Sequence, residues 1–182
     1  MSSRIHRSML MAGWSVVVVS GLWGCAPMQV NSYAERGAAF QQYRTFAWGP
    51  ADTKSIGDPR LDHNRFFDER VRAQVEKQLE SRGFEKSAAS PDLLVHYHAN
   101  VSQEIDVRQL DGSYAPDNTD HRSWVYDKGT LFLDLVEPGT GRLVWRGWAE
   151  GSIDGVVDNQ TLLESRIDEA VMRILKRLPN RL

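Results

Sequence analysis

An alternating segment at residues 92–102 constrains the fold more than any other feature of the sequence. Its odd positions carry apolar side chains, whereas its even positions include His96, His98 and Asn100. Successive side chains of a β-strand point to opposite faces of a sheet. The segment therefore predicts a strand with one face in the core and one in solvent, as is typical of an antiparallel sheet covered on one side.

Two further strands are predicted at residues 130–136 and 142–150, on either side of the sequence Pro-Gly-Thr-Gly. This sequence suits a type I turn closed by a glycine bulge at Gly141, with Pro138 opposite Arg142. The register gives Leu135 with Trp145 on the inner face, and Asp134 with Arg146 and Phe132 with Trp148 on the outer face. The side chains expected to face the helices are Leu131, Leu133 and Leu135, followed by Leu143, Trp145, Gly147 and Ala149.

Two amphipathic helices are predicted at about residues 62–82 and 162–178. Apolar side chains recur every three or four residues in both segments, which places one stripe on each helix. Gly83 is a typical C-terminal stop for the first helix. Thr161 and Glu164 have the spacing of a capping box at the start of the second, and Pro179 follows its end.

These elements predict an α+β fold. Residues 43–48 combine aromatic and β-branched side chains and predict a fourth strand. We expect a two-layer sandwich, with a mostly antiparallel sheet of about four strands and two helices packed on one face. Residues 43–182 would form this single domain, and residues 25–42 a tether with room for one edge strand. The composition, 41% hydrophobic and 25% charged, is that of a globular chain.

The first 24 residues have the layout of a secretory signal peptide. Arg4 and Arg7 precede an apolar run that ends at Trp23, and this run of about 15 residues is too short to cross a bilayer. Leu22, Trp23, Gly24 and Cys25 resemble the lipobox of bacterial lipoproteins, although Trp23 is larger than usual. The resemblance implies cleavage after Gly24 and lipidation of Cys25, the single cysteine of the chain.

A lipid on Cys25 would make the membrane the first partner of the protein, because two or three acyl chains anchor a domain firmly. By resemblance to lipoprotein sorting in Gram-negative bacteria, Ala26 after the lipidated cysteine implies delivery to the outer membrane, with the body in the periplasm. The formal net charge of -2 and the absence of a basic face argue against nucleic-acid binding.

The predicted outer sheet face is the candidate binding surface. It collects His96, His98, Phe132, Asp134, Arg146 and Trp148. The simplest interpretation is a solvated face, and the first functional one is a surface for an envelope protein. A second would be a metal-dependent or hydrolytic site centred on His96 and His98, completed by Asp134 or His121. A third is a carrier of lipid or another apolar ligand, which needs a cavity between helices and sheet.

The long segment at residues 103–128 is either functional or mobile. Its aromatic residues Tyr114, Trp124 and Tyr126 are candidate contacts. No nucleotide, zinc-protease or nucleophile-elbow motif occurs, so we expect neither catalytic residues, metal nor cofactor. The interpretation favoured is a non-enzymatic accessory or binding protein of the cell envelope.

Five blocks of the sequence together resemble a known family. They are YRTFAW, a helix ending in ESRGFE, PDLLVHYHANV, KGTLFLDLVEPGTGRLVWRGWAEG and a last helix ending at Leu178 and Pro179. In this order and spacing, over about residues 30–179, they are similar to bacterial lipoproteins grouped as domain of unknown function forty-one thirty-six. The resemblance implies an anchored envelope protein with a sheet and helices, and it implies no catalytic residues.

Overall fold

A computed structural model of the protein describes residues 28–51, 54–105 and 125–180. Six strands and two helices occur in these ranges. The strands are β1 (Gln29–Ala34), β2 (Thr45–Trp48), β3 (Glu85–Lys86), β4 (Leu93–Ile105), β5 (Val125–Val136) and β6 (Leu143–Ser152), and the helices are α1 (Arg65–Glu80) and α2 (Gln160–Leu175). The predicted α+β class is confirmed.

The strands form one sheet in the order β1-β6-β5-β4-β2-β3. The three pairs among β1, β6, β5 and β4 are antiparallel, whereas β2 is parallel to both β4 and β3. The expectation of about four strands is therefore corrected to six. The additional strands are the two edges: β1 lies in the segment expected as a tether, and β3 has only two residues.

The predicted register between β5 and β6 is confirmed across most of the pair. Asp134 faces Arg146, Phe132 faces Trp148 and Leu135 faces Trp145. The turn itself differs, because the amide of Glu137 donates to the carbonyl of Arg142, so that Glu137 and not Pro138 lies opposite Arg142. Gly141 has the positive φ of 67° that the turn requires.

A bulge at Val144 reconciles this turn with the register. Val136 pairs with Leu143 and Leu135 pairs with Trp145, which leaves Val144 as the additional residue. Val144 and Trp145 are consecutive and both fully buried. Leu143, which we expected to face the helices, pairs instead beyond the bulge and remains partly exposed.

Both helices bury their apolar stripes against the inner face of the sheet, and their ends are capped. The side chain of Asn64 accepts a hydrogen bond from the amide of Phe67 at the start of α1. Asn159 caps α2 in the same way through the amide of Leu162, so the predicted cap at Thr161 is wrong by two residues.

Within the described ranges, no helix has the length and apolar composition needed for a membrane crossing.

Trp145 is the largest fully buried side chain in the core. Its indole ring lies along β6 over Gly147, where a Cβ atom would fall 2.5 Å from Cη2 of Trp145 and 2.6 Å from Cγ2 of Ile174. The glycine therefore makes the space in which the indole packs between sheet and helix α2. This packing covers the inner face of the sheet, and neither α1 nor α2 lies on the opposite face.

Candidate functional site

We use the term outer face for the side of the sheet that points away from α1 and α2. The structure brings all six predicted side chains together on it, in two neighbouring rows across β4, β5 and β6. One row contains His96, Asp134 and Arg146, and the other contains His98, Phe132 and Trp148. The prediction of one common face for these residues is therefore confirmed, although their function is a separate question.

Asp134 and Arg146 form the centre of the outer face. Nε of Arg146 donates to Oδ1 of Asp134 and Nη2 donates to Oδ2, both over 2.6 Å. Asp134 is 4% exposed, whereas the side chain of Arg146 is 40% exposed. The hydrogen bonds with Asp134 raise the pKa of Arg146 above its ordinary value, against the opposing effect of burial. The pair thus anchors a positively charged group at the surface.

Two aromatic rings lie beside this pair. The rings of Phe132 and Trp148 stack with centroids 6.4 Å apart at an angle of 29°. The guanidinium carbon of Arg146 lies 5.8 Å from the centre of the Phe132 ring, within cation-π distance. Arginine and aromatic side chains are enriched where proteins bind one another. The geometry can therefore offer both stacking area and a fixed cation to a partner.

His98 adjoins the pair on its other side. Its Nε2 atom lies 3.5 Å from Oδ2 of Asp134, and its side chain is 38% exposed. Each oxygen of Asp134 also accepts a hydrogen bond from Arg146, so Asp134 is a shared neighbour of Arg146 and His98. No group of three potential metal ligands occurs among the residues that the structure describes. His121, the other candidate ligand, lies outside those residues.

His96 has a packing role that the sequence did not indicate. Its imidazole ring occupies the space that a Cβ atom of Gly49 would fill. The amide of Gly49 continues the ladder beyond β2 by donating to the carbonyl of Val95 over 3.0 Å. The ring therefore lies against the backbone at Gly49, just beyond the end of β2, where a residue with a Cβ atom would clash with it.

The edge strand β1 adds two residues that the sequence analysis missed. Tyr33 pairs with Arg146 and Asn31 pairs with Trp148, so both extend the rows of the outer face. Tyr33 is 52% exposed. The segment Gln29–Ala34 carries few apolar residues and no clear alternation, so the sequence predicted room for an edge strand without its register.

The remaining predicted contacts have different outcomes. Tyr126 lies on β5 opposite Glu104, on the outer face but well away from the Asp134 and Arg146 pair. Tyr114, Trp124 and Cys25 lie outside the residues that the structure describes. Their predicted roles stay predictions.

A small apolar cavity lies on the inner side, between the sheet and the helices. Its volume is about 70 Å³, and its lining includes Phe67, Leu131, Leu163 and Ile167. Pockets that hold drug-sized ligands usually measure about 300 to 1,000 Å³. This cavity is smaller than that range, whereas an adjoining, more polar opening that shares Ile56, Leu61, Phe67 and Ala99 with it measures about 360 Å³.

The comparison with family models decides the family. Residues 29–180 match the model described as "Domain of unknown function (DUF4136)". The chain belongs to the DUF4136 family. The resemblance derived from the five sequence blocks is thereby confirmed, with bounds within one residue of those expected. The sequence matches none of the curated proteins with which it was compared.

Several solved structures are similar to this DUF4136 chain. A PDZ domain protein from Parabacteroides distasonis has a TM-score of 0.54 at 15% identity, over 85% of this chain and 35% of that protein. The chain thus spans about a third of the length of that protein. A DUF4136 family protein from Bacteroides thetaiotaomicron has a TM-score of 0.46 at 17% identity, over 78% and 92% of the two chains.

A PelC dodecamer from Paraburkholderia phytofirmans is a further similar structure. Its TM-score is 0.47 at 11% identity, and the match covers 86% of this DUF4136 chain and all of the PelC chain. Among these three structures, the PDZ domain protein has the TM-score above 0.5, and at 15% identity its likeness is evidence of fold alone. Function must therefore be argued from the residues of this chain.

Proposed function

We propose that this DUF4136 protein is a lipid-anchored, non-enzymatic protein of the cell envelope that binds another envelope protein through its outer face. The anchor would be the lipid on Cys25, inserted in the outer membrane, with the folded domain in the periplasm. The observation that carries the proposal is the set formed by Asp134, Arg146, Phe132 and Trp148, a fixed cation beside stacked rings on a face that neither described helix covers.

The chemistry of this set suggests the kind of partner. A protein surface that supplies an acidic side chain to Arg146 and an apolar side chain to the rings of Phe132 and Trp148 would complement it. Arg146 enters such an interface already oriented by Asp134, so its side chain loses little conformational freedom on binding. Tyr33 lies beside it with half of its surface exposed and would extend the contact onto β1.

Sequence features support the envelope location. The lipobox around Cys25 follows an apolar run of signal-peptide length, and Ala26 favours delivery to the outer membrane. A protein held on a membrane meets other membrane proteins at a high effective concentration, so a modest binding face suffices.

Photocrosslinking in living cells of the natural host tests the proposal. The photoreactive amino acid p-benzoylphenylalanine would replace Tyr33 on the outer face in the full chain. A matched control would carry it at Met172 on helix α2, which is 47% exposed. We expect one discrete crosslinked product from position 33, none from position 172, and loss of the product when Trp148→Ala is added. Identical products from both positions, or a product insensitive to Trp148→Ala and Arg146→Ala, would contradict the proposal.

A further inference from the structure

The cavity between the sheet and the helices is suited to an apolar guest. Its lining is mainly apolar and comes from both layers, with Leu131 and Ala149 on the sheet and Leu163, Ile167 and Ala170 on helix α2. A buried water needs two to four hydrogen bonds, so apolar cavities stay dry and accept apolar molecules. Since a cavity of about 150 Å³ holds benzene, the volume of about 70 Å³ suits roughly three carbon atoms of an alkyl chain.

The adjoining opening lies beside β4 at the start of helix α1. Its volume of about 360 Å³ reaches the lower end of the range for ligand pockets. Four residues border both the opening and the cavity, and all four are apolar: Ile56, Leu61, Phe67 and Ala99. No polar side chain therefore belongs to the boundary between the two spaces, so they can hold two parts of one ligand.

Ala99 directs a backbone donor and a backbone acceptor to the edge of β4. The carbonyl of Val95 accepts from the amide of Gly49, and the amide of Val101 donates to the carbonyl of Ile56, so both residues turn their peptide groups away from β5. Peptide groups alternate in direction along a strand, so those of Ala99 point to this side as well. Within the described ranges, neither its amide nor its carbonyl has a hydrogen-bond partner.

Charges of both signs border the opening. Among the residues of its lining that the structure describes, the carboxylates of Asp62 and Asp68 stand against the cations of Lys54 and Arg65. Both carboxylates accept hydrogen bonds from protein donors, and Arg65 donates to an acceptor one turn further along α1. A charged ligand group would have to replace these bonds, whereas a neutral one needs only the peptide groups of Ala99.

We propose that the cavity and the opening form one site for a single-chain amphiphile with a neutral, hydrogen-bonding head, such as an aliphatic alcohol or amide. The end of the alkyl chain fills the cavity, and the head bonds to the backbone of Ala99. The cavity lies on the side of the sheet that faces the helices, so the site is separate from Arg146 and Trp148 on the outer face. The inference goes beyond the proposed function and does not depend on a lipid at Cys25.

Titration with primary alcohols from butanol to decanol tests the size of the site. The mature chain from Cys25 contains every described strand and helix, and its leucine methyl signals in NMR spectra report binding at Leu131 and Leu163. We expect the affinity to rise about fourfold for each methylene until the cavity is full, and not beyond. A constant gain over the whole series, or shifts at the exposed Met172 in place of Leu131, would overturn the proposal.

Three probes of one chain length test the head. Octanol, octanoate and octylammonium carry the same alkyl chain with a neutral, an anionic and a cationic group. We expect octanol to bind at least about tenfold more tightly than either ion, because the charged groups at the opening are balanced and hydrogen-bonded within the protein. Equal affinities for the three probes would overturn the assignment of a neutral head.

Two variants change the cavity in opposite directions. Ala170→Leu fills it, and we expect the affinity for octanol to fall at least about tenfold. The same substitution at Ala73, an exposed position of α1, is the matched control and should leave the affinity unchanged. Leu131→Ala enlarges the cavity and should move the best chain length up by about three carbon atoms. Unchanged affinity in a folded Ala170→Leu variant, or an unchanged best length in Leu131→Ala, would contradict the site.

Discussion

Arg146 donates two parallel hydrogen bonds to Asp134 across the antiparallel pair of β5 and β6, each 2.6 Å long. The carboxylate is almost fully buried while the guanidinium is 40% exposed. The pair is therefore asymmetric. Without the arginine, the buried carboxylate of Asp134 still bears its desolvation cost but loses the hydrogen bonds from Arg146 that offset it. Without the aspartate, the guanidinium of Arg146 remains accessible to water.

This asymmetry gives the first prediction. Arg146→Ala is expected to lower the free energy of unfolding by about 1 to 3 kcal/mol, and Asp134→Ala to cost less than that. The double variant Asp134→Ala with Arg146→Ala should be more stable than the sum of the single effects implies. Urea unfolding measures all three. Strictly additive losses would show that the pair does not stabilise the fold.

A second prediction concerns the space beneath Trp145. Gly147→Ala places a methyl group 2.5 Å from the indole ring, so the ring or helix α2 must move. We expect a loss of about 1 to 3 kcal/mol, as is typical of overpacked cores. Gly139→Ala is the matched control, because a Cβ atom there meets nothing within 4 Å. Equal urea midpoints for the two variants would contradict the packing described.

A third prediction separates the packing role of His96 from a ligand role. Gly49→Ala should displace the imidazole ring of His96, and we expect a loss of stability of about 1 kcal/mol or more. Adding His96→Ala removes the obstacle and should recover most of that loss. Thermal unfolding of the single and double variants checks this. If His96→Ala leaves the defect of Gly49→Ala unchanged, the ring does not lie where we describe it.

The fourth prediction concerns pH and the turn between β5 and β6. Hydrogen bonds from Arg142 and then from Tyr43 lower the pKa of Glu137 from 4.5 to about 2. Because the pKa of the folded state is below that of the unfolded chain, the stabilisation is present above about pH 4.5 and is lost as the pH falls towards 2. The difference in Tm between wild type and Glu137→Gln should therefore be constant near neutral pH and shrink over that interval.

Tyr43→Phe tests whether the hydrogen bond from Tyr43 contributes to the lowered pKa of Glu137. It removes the hydrogen bond of 2.5 Å from Tyr43 to Glu137 and leaves that from Arg142. The pKa of Glu137 should rise towards its ordinary value, and the difference in Tm should therefore be lost over a narrower interval of pH. A difference that stays the same from pH 7 to pH 2 would show that Glu137 does not titrate as described.

Sequence patterns predicted the centre of the sheet better than its edges. The alternation of apolar and polar residues in the central strands specified their register. One face of these strands is buried, and a shift of the pairing by one residue would expose its apolar side chains. The pairs of Asp134 with Arg146 and Phe132 with Trp148 followed from that alternation. The edge strand β1 was predicted only as a possibility, since most of its side chains are exposed and Val30 alone packs against the core.

Local features that depend on a single residue were less predictable. The bulge at Val144 shifts the turn by one position, and its only trace in the sequence is the consecutive apolar run at residues 143–145. Similarly, both Asn159 and Thr161 are residue types that cap helices, and Asn159 is the one that caps α2. The packing of His96 on Gly49 could not be predicted without knowing that β2 lies beside β4.

Attachment to the membrane through Cys25 underlies the proposed function. The most direct test is the intact mass of the protein isolated from the membranes of its natural host. We expect a chain that begins at Cys25 and carries diacylglycerol, with or without a further acyl chain on its amino group. A chain that still begins at Met1, or one with an unmodified thiol at position 25, would contradict the account.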